Sequence, residues 1–273
     1  MIYKKNSKKN TKESIKESTK ENTWYSDNDF WLSYAPYLFD EKRWAEAHAA
    51  TEQILQFINN ARQQKDAGLQ FSVLDACSGP GRFTLEFARF GHFVTAVDIV
   101  QPFLDAIEET AIREQLPVKT ICSDILTLNI ENSFDVALNL YTSFGYFETE
   151  DDDCKLLKNI YKSLKPGGWF FLELLSKEMC ARYFVSGEWF EKDNALVCTQ
   201  FSVDDGWKYL HNRWIVCKDG CITDNTWNLR LYAFSDIKKI LIDAGFSDIH
   251  SYGSYNFTPF DNNAQTLLVV ARK

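Results

Sequence analysis

The stretch from Phe71 to Asp98 constrains this chain more than any other. A short apolar run, Phe71–Ala76, meets Cys77-Ser78-Gly79-Pro80-Gly81; helical spacing then runs to Phe90 and ends at Gly91. A second apolar run, Phe93–Val97, stops at Asp98. Runs of that length between glycines read as buried strands, and strand–turn–helix–strand is one βαβ unit of a parallel sheet. Gly79 and Gly81 let the backbone turn tightly and approach a ligand with no Cβ in the way. The free N–H groups and positive dipole end of the next helix favour a carboxylate or phosphate. Asp98, ending the second strand, is placed to accept hydrogen bonds from a ribose diol. A nucleoside site follows. It is not a dinucleotide site of the Gly-x-Gly-x-x-Gly kind, because Thr84 stands where the third glycine belongs.

The alternation continues. Gln101–Gln115 is predicted helical, Val118–Cys122 and Phe134–Leu140 as strands, and Asp151–Leu164 as a helix closed by Lys165-Pro166-Gly167-Gly168 before a fifth strand, Trp169–Leu175. Ala195–Val203, Trp207–Cys217 and Cys221–Tyr232 are extended runs joined by Asp204-Asp205-Gly206 and Lys218-Asp219-Gly220, the turn chemistry of an antiparallel meander. A helix, Ser235–Ala244, ends at Gly245, and strands Ile249–Tyr252 and Thr266–Ala271 follow. Upstream, aromatic residues crowd Trp24 to Trp44; Arg43 to Gln64 has helical spacing, broken by Asp66-Ala67-Gly68. The expected fold class is α/β: seven strands, mainly parallel, Rossmann-like, the last antiparallel, with the inserted meander as a lid.

Charge and cysteine usage narrow the partners. Residues 1–20 hold seven lysines against Glu13 and Glu17, a net of +5; subtracting this from −8 leaves −13 for residues 21–273. So acidic a body repels a phosphate backbone, which argues against nucleic acid. Residues 1–22 read as a solvated, disordered basic tail. No apolar run reaches the ~18–20 residues of a membrane span, and no signal-peptide pattern is visible. Seven scattered cysteines suit reduced thiols rather than a disulfide framework. A cytoplasmic protein is expected, monomer or homodimer. Cys217 and Cys221 lack a second pair at zinc spacing, so no metal is expected.

Several motifs in order carry a resemblance. Leu74-Asp75, followed by the Gly79-Pro80-Gly81 loop, resembles motif I of the class I S-adenosylmethionine-dependent methyltransferases. Cys122-Ser123-Asp124-Ile125 resembles their adenine-binding stretch, Phe134 to Leu140 their motif IV, and Leu164-Lys165-Pro166-Gly167-Gly168 the turn before their fifth strand. The resemblance implies a methyltransferase domain over 67–273 with a lid insertion at about 178–232, and an N-terminal helical lid over 23–66. It implies S-adenosylmethionine as cofactor and S-adenosylhomocysteine as product. Cofactor contacts are then expected at Asp75, Gly79, Gly81, Asp98, Ile99, Asp124, Ile125 and Asn139, with Tyr34 reaching in from the lid ahead of Tyr25, Trp31 and Arg43.

The acceptor belongs beside the loop after the fourth strand, since ligands bind outside the carboxyl ends of parallel strands. There Thr142, Ser143 and Tyr146 are candidate substrate contacts. The meander adds Tyr209, Arg213, Arg230 and Tyr232. Period-2 alternation puts Tyr209, His211 and Arg213 on one face and Trp214 on the other, so only one set can line a pocket. His211 and Tyr146 are the candidate catalytic groups. The expected activity is methyl transfer to N or O of a small molecule. The alternatives are an RNA or protein methyltransferase, or a cofactor-binding protein of this fold without turnover.

Overall fold

Strand order decides where a ligand can sit. In the computed structural model, which describes residues 23–61 and 69–273, α1 (Asn28–Leu38) and α2 (Glu41–Ala61) precede β1 (Ser72–Ala76), α3 (Arg82–Arg89), β2 (Phe93–Asp98), α4 (Gln101–Glu114), β3 (Val118–Cys122), β4 (Phe134–Asn139), α5 (Glu150–Ser163) and β5 (Leu164–Leu174). After them come α6 (Lys177–Tyr183), β6 (Gly187–Lys192), β7 (Ala195–Val203), β8 (Tyr209–Lys218), β9 (Cys221–Arg230), α7 (Phe234–Ala244), β10 (Ser247–Tyr252) and β11 (Leu267–Arg272). The expected tail at 1–22 and the helix stop at Asp66-Ala67-Gly68 lie outside the described residues.

Seven strands form one sheet in the order β10-β11-β5-β4-β1-β2-β3. β1 to β5 run parallel, and β11 is antiparallel to both β5 and β10. The chain leaves β1 towards β2 and β3, then returns to β4 on β1's other side, so loops diverge above the β1–β4 pair and open a cleft there.

The two-residue period of each strand divides the core. Leu74, Ala76, Ala137, Phe170 and Leu172 face one side with Leu156, Ile160 and Leu241 of α5 and α7. Val73, Val136, Leu138 and Phe171 face the other with Ala47, Ala50, Ile54 and Ile58. Those last four lie on α2, so this half of the expected N-terminal lid is a layer of the sheet domain. β5 begins at Leu164 rather than Trp169, with a register irregularity through the Pro-Gly-Gly turn.

The insertion is a separate antiparallel sheet, β6-β7-β8-β9. The sequence pattern predicts three strands in the meander; β6 is an additional edge strand of mostly exposed residues, without apolar alternation. Ala195, Val197 and Val216 on its inner face pack against Phe30 and Tyr34 of α1. Arg230, at the end of β9, is pinned to the sheet domain. Its backbone N–H donates to Gly145 O (2.8 Å), and its guanidinium donates to Glu148 O (2.7 Å) and to the buried carboxylate of Asp153 on α5. Gly145 must be glycine here: it holds φ +97°, and a Cβ would lie 2.5 Å from Arg230 O.

Candidate active site

The loops after β1, β2, β3 and β4 enclose a cavity of about 1210 Å³ including its open mouth, roofed by the N-terminal segment through Tyr25, Trp31, Leu38 and Phe39. Of the cofactor candidates, Asp75, Gly79, Asp98, Ile99, Asp124 and Ile125 line it; of the acceptor candidates, Thr142, Ser143 and Tyr146 do.

Asp98 organises the side of the cavity next to the glycine loop. Its Oδ2 accepts the Gly79 N–H at 2.7 Å and its Oδ1 the Val100 N–H at 2.9 Å, which ties the glycine loop to the end of β2. Each oxygen keeps a lone pair for a diol. Burial raises its pKa against the pull of those two donors. Asp124 accepts the Leu126 N–H at 2.8 Å through Oδ1 and so caps the 3-10 turn Ile125–Thr127, which presents Ile125 to the cavity. Asp75 is pushed up to about 6 by burial, against the hydroxyl of Thr84 that donates to its Oδ2 at 2.6 Å. Thr84, in the place of a third glycine, is therefore a partner of Asp75.

The two glycines differ in task. A Cβ on Gly79 (φ +54°) would meet only the Phe39 ring, at 3.8 Å, so this position faces open cavity. A Cβ on Gly81 (φ +85°) would overlap Ile107 of α4; that glycine serves helix packing and does not line the cavity. Ser78, between β1 and these glycines, has its buried Oγ without a protein partner. A buried hydroxyl left unpaired costs roughly 1–3 kcal/mol, which a polar ligand removes. The donors and acceptors present fit S-adenosylmethionine: Asp98 for the ribose, Asp124 for the adenine amine, Ile99, Phe103 and Ile125 for the ring faces, and Ser78 with the glycine loop for the methionine end.

The wall also holds a cation that the sequence pattern does not single out. Arg82, the first residue of α3, is buried, donates to Arg43 O at 2.7 Å and lies 4.0 Å from the centroid of the Tyr141 ring. Among the described residues no carboxylate lies within ion-pair distance of it, and burial lowers its pKa. It places a positive charge in the cavity wall. Tyr141 and Thr142 both hold positive φ, +64° and +59°. Glu173 steadies this bend by accepting the Tyr141 N–H at 2.8 Å and the hydroxyls of Tyr255 (2.7 Å) and Thr266 (3.0 Å).

Aromatic rings make the remaining wall. Tyr25, Trp31, Tyr146 and Phe147 line it, with Trp24 behind. Trp31 Nε1 donates to Tyr25 O at 2.9 Å, fixing one ring against the other's backbone. Burial raises the pKa of Tyr146 strongly.

Other candidates stand elsewhere. Tyr34 is fully buried between α1 and the lid sheet: its hydroxyl donates to Trp214 O at 2.9 Å and accepts from Asn225 Nδ2 at 3.2 Å. It is away from the cavity wall, while Trp31, three residues earlier, reaches it. Asn139 lies beneath the site, where its Nδ2 donates to Ala76 O at 2.9 Å. Tyr209, His211 and Arg213 share a face as their alternation requires, the one turned away from α1: Arg213 pairs with Asp224 and His211 bonds Asn228 near the surface, while the Tyr209 hydroxyl accepts from the buried Arg230 Nη2 at 3.1 Å. Packing chose Val216 and Trp214 for the inside. Arg230 and Tyr232 both spend their polar ends on Asp153.

Residues 73–168 match the family model described as a methyltransferase domain. A glycine/sarcosine N-methyltransferase of Aphanothece halophytica is 25% identical over 74% of this chain and 76% of its own length. Two solved structures share the fold: the CcbJ methyltransferase of Streptomyces caelestis (TM-score 0.74, 18% identity, 93% of this chain and 99% of that one) and an S-adenosylmethionine-dependent methyltransferase of Clostridium acetobutylicum (TM-score 0.73, 21% identity, 90% and 98%). This match gives residues 73–168 a methyltransferase domain, and the strand order and the shared structures give the chain the fold of the class I, Rossmann-like S-adenosylmethionine-dependent methyltransferases.

Proposed function

We propose that the cavity transfers a methyl group from S-adenosylmethionine to N or O of a small-molecule acceptor in the cytoplasm. The observation that carries this reading is the roof: Tyr25 and Trp31 cover the same space that Asp98 and Asp124 line from below, so cofactor and acceptor sides share one enclosure. An enclosure of that kind suits a compact acceptor better than a polymer strand. The net −13 of residues 21–273 points the same way, since a nucleic-acid backbone would be repelled. No described helix is long and apolar enough to cross a membrane. The Aphanothece relative, by its name, methylates nitrogen in a small amino acid, which adds support for nitrogen.

Methyl transfer from a sulfonium is an in-line displacement, in which bound S-adenosylmethionine supplies the electrophilic carbon. The chain's part is alignment, desolvation and electrostatics. Asp98 and Asp124 hold the nucleoside end, Arg82 faces the carboxylate, and Thr142, Ser143 and Tyr146 border the acceptor. Among the described residues no histidine lines the cavity. The decisive experiment is release of S-adenosylhomocysteine across a panel of amines, hydroxyl compounds, RNA and peptides. Turnover on RNA or peptide and on no small molecule would refute the reading; turnover on none, despite cofactor binding, would favour the non-catalytic alternative.

A further inference from the structure

Beside Thr142 and Ser143, the acceptor half of the cavity is lined by ring faces and edges. Trp24 meets Tyr146 edge-on at 4.9 Å between centroids, Tyr25 meets Phe147 at 5.4 Å and 90°, and Trp31 lies 6.3 Å from Tyr146 at 60°. Rings set at steep mutual angles around a shared space enclose it instead of stacking shut. Tyr25, Trp31 and Tyr146 all open on the cavity. Their positions are held from outside: Trp31 by its bond to Tyr25 O, Trp24 by stacking near Trp227 at 5.9 Å.

The field at this corner is negative. Burial raises the pKa of the Tyr25 hydroxyl, and the carboxylates of Asp124, Asp152 and Glu148 raise it further. Asp75 and Asp98 also line the cavity, and Arg82 is the one cation among its described lining residues. Aromatic faces and uncompensated carboxylates together attract a desolvated organic cation. They offer little to an alkoxide or a carboxylate.

Resting on the methyltransferase reading above, we propose that Tyr25, Trp31 and Tyr146 form a cation subsite for the methyl-bearing nitrogen of an alkylamine acceptor, whose product is an alkylammonium ion. The nitrogen lone pair forms the new N–C bond as the S–C bond of the sulfonium breaks. The bonding pair stays on sulfur as a neutral thioether, and positive charge moves from sulfur to nitrogen. The acceptor, an ammonium ion in neutral water, first gives its proton to water; a tertiary amine then has no further proton to lose, so the transfer itself needs no base. A secondary amine leaves as a protonated ammonium that gives its proton to water after transfer. The wall agrees with this, since His48, His92, His211 and His250 are all engaged elsewhere, with Glu86, Phe71, Asn228 and Asp248.

The test uses the full chain loaded with S-adenosylhomocysteine, titrated calorimetrically with choline and with 3,3-dimethylbutan-1-ol, its neutral isostere. Choline is expected to bind at least about tenfold more tightly, and Trp31→Leu to erase that preference while leaving S-adenosylhomocysteine affinity within about twofold. Tyr146→Phe, which keeps the ring, should retain the preference. Equal affinity for the two probes, tighter binding of the neutral one, or no binding of choline overturns the subsite. Failure of S-adenosylhomocysteine itself to bind is a different result: it strikes the cofactor assignment.

Discussion

Gly79 and Gly81 offer a way to separate binding from folding with two methyl groups. Both have positive φ, so alanine at either costs roughly 1–2 kcal/mol of backbone strain. At Gly79 little is added in the folded protein, because the nearest atom to the new Cβ is Phe39 Cζ at 3.8 Å, and the N–H bond to Asp98 survives. At Gly81 the Cβ overlaps Ile107 Cγ1 and lies 2.7 Å from Cδ1. Overpacking of that kind adds roughly 1–3 kcal/mol. Gly81→Ala is thus expected to lose about 2–5 kcal/mol, and for a chain of this size each kcal/mol lowers Tm by roughly 2–4 °C. A fall of about 4–20 °C follows, against a few degrees for Gly79→Ala. Binding should rank the other way: the Gly79 methyl occupies cavity that the cofactor needs, and a clash of 1–3 kcal/mol weakens S-adenosylhomocysteine by about 5- to 150-fold. Differential scanning calorimetry and isothermal titration below both Tm values read the two axes. The internal control is Gly81→Ala/Ile107→Ala, which removes Cγ1 and Cδ1. Its loss should be smaller than the sum of the single losses by about 1–3 kcal/mol. Additive losses, or a Gly79 variant that binds normally but melts like the Gly81 variant, refute the division of labour.

Asp75 predicts a pH dependence. Its folded pKa, about 6, lies above the ordinary 3.8, so its contribution to stability is fully present below about pH 4 and is lost as pH rises through 6. The shift corresponds to roughly 3 kcal/mol at neutral pH; the Tm of Asp75→Asn relative to wild type should rise between pH 4 and 8, and a flat difference would contradict the burial of that charge. Breaking the Arg230–Asp153 pair with Asp153→Leu should cost about 3–5 kcal/mol, and adding Arg230→Met should restore much of it, measured by urea unfolding. Hydrogen exchange across 187–230 should accelerate in the single variant, because this pair fastens the lid sheet to α5. Tyr34→Phe removes the bond to Trp214 O and should lower stability by about 1 kcal/mol without changing S-adenosylhomocysteine affinity, which calorimetry checks. His211→Gln, on the outer face of the lid, should leave kcat unchanged in the S-adenosylhomocysteine release assay.

What was legible in the chain follows from what is local. Asp75, Gly79, Asp98, Asp124 and the bend at Tyr141 to Ser143 each sit at the carboxyl end of a parallel strand, so strand order alone carries them to one place. Once the apolar runs are read as parallel strands, those loops cannot be far apart. Residues whose side-chain direction is set by a partner distant in sequence carried no such signal. Alternation groups Tyr209, His211 and Arg213, but which face turns inward depended on Phe30 and Tyr34, about 180 residues away, finding Val197 and Val216. The same packing took Tyr34 out of the wall: on α1, the face that covers the lid sheet and the face that roofs the cavity are a few residues apart, and a tyrosine at one serves structure while Trp31 at the other serves the site. Arg230 reads as an anion receptor until Asp153, on a helix 77 residues earlier, takes its charge. Arg82 is the reverse case. It follows the glycine loop directly, and only the buried surroundings, with Tyr141 against it and no carboxylate of the described residues within ion-pair distance, turn a helix-start arginine into a cation facing the cavity. The acceptor side of this fold is built from such long-range choices, so its chemistry is decided by packing between the N-terminal segment and the lid, and it is there that substitutions such as those at Trp31 and Tyr146 should alter which acceptor is taken.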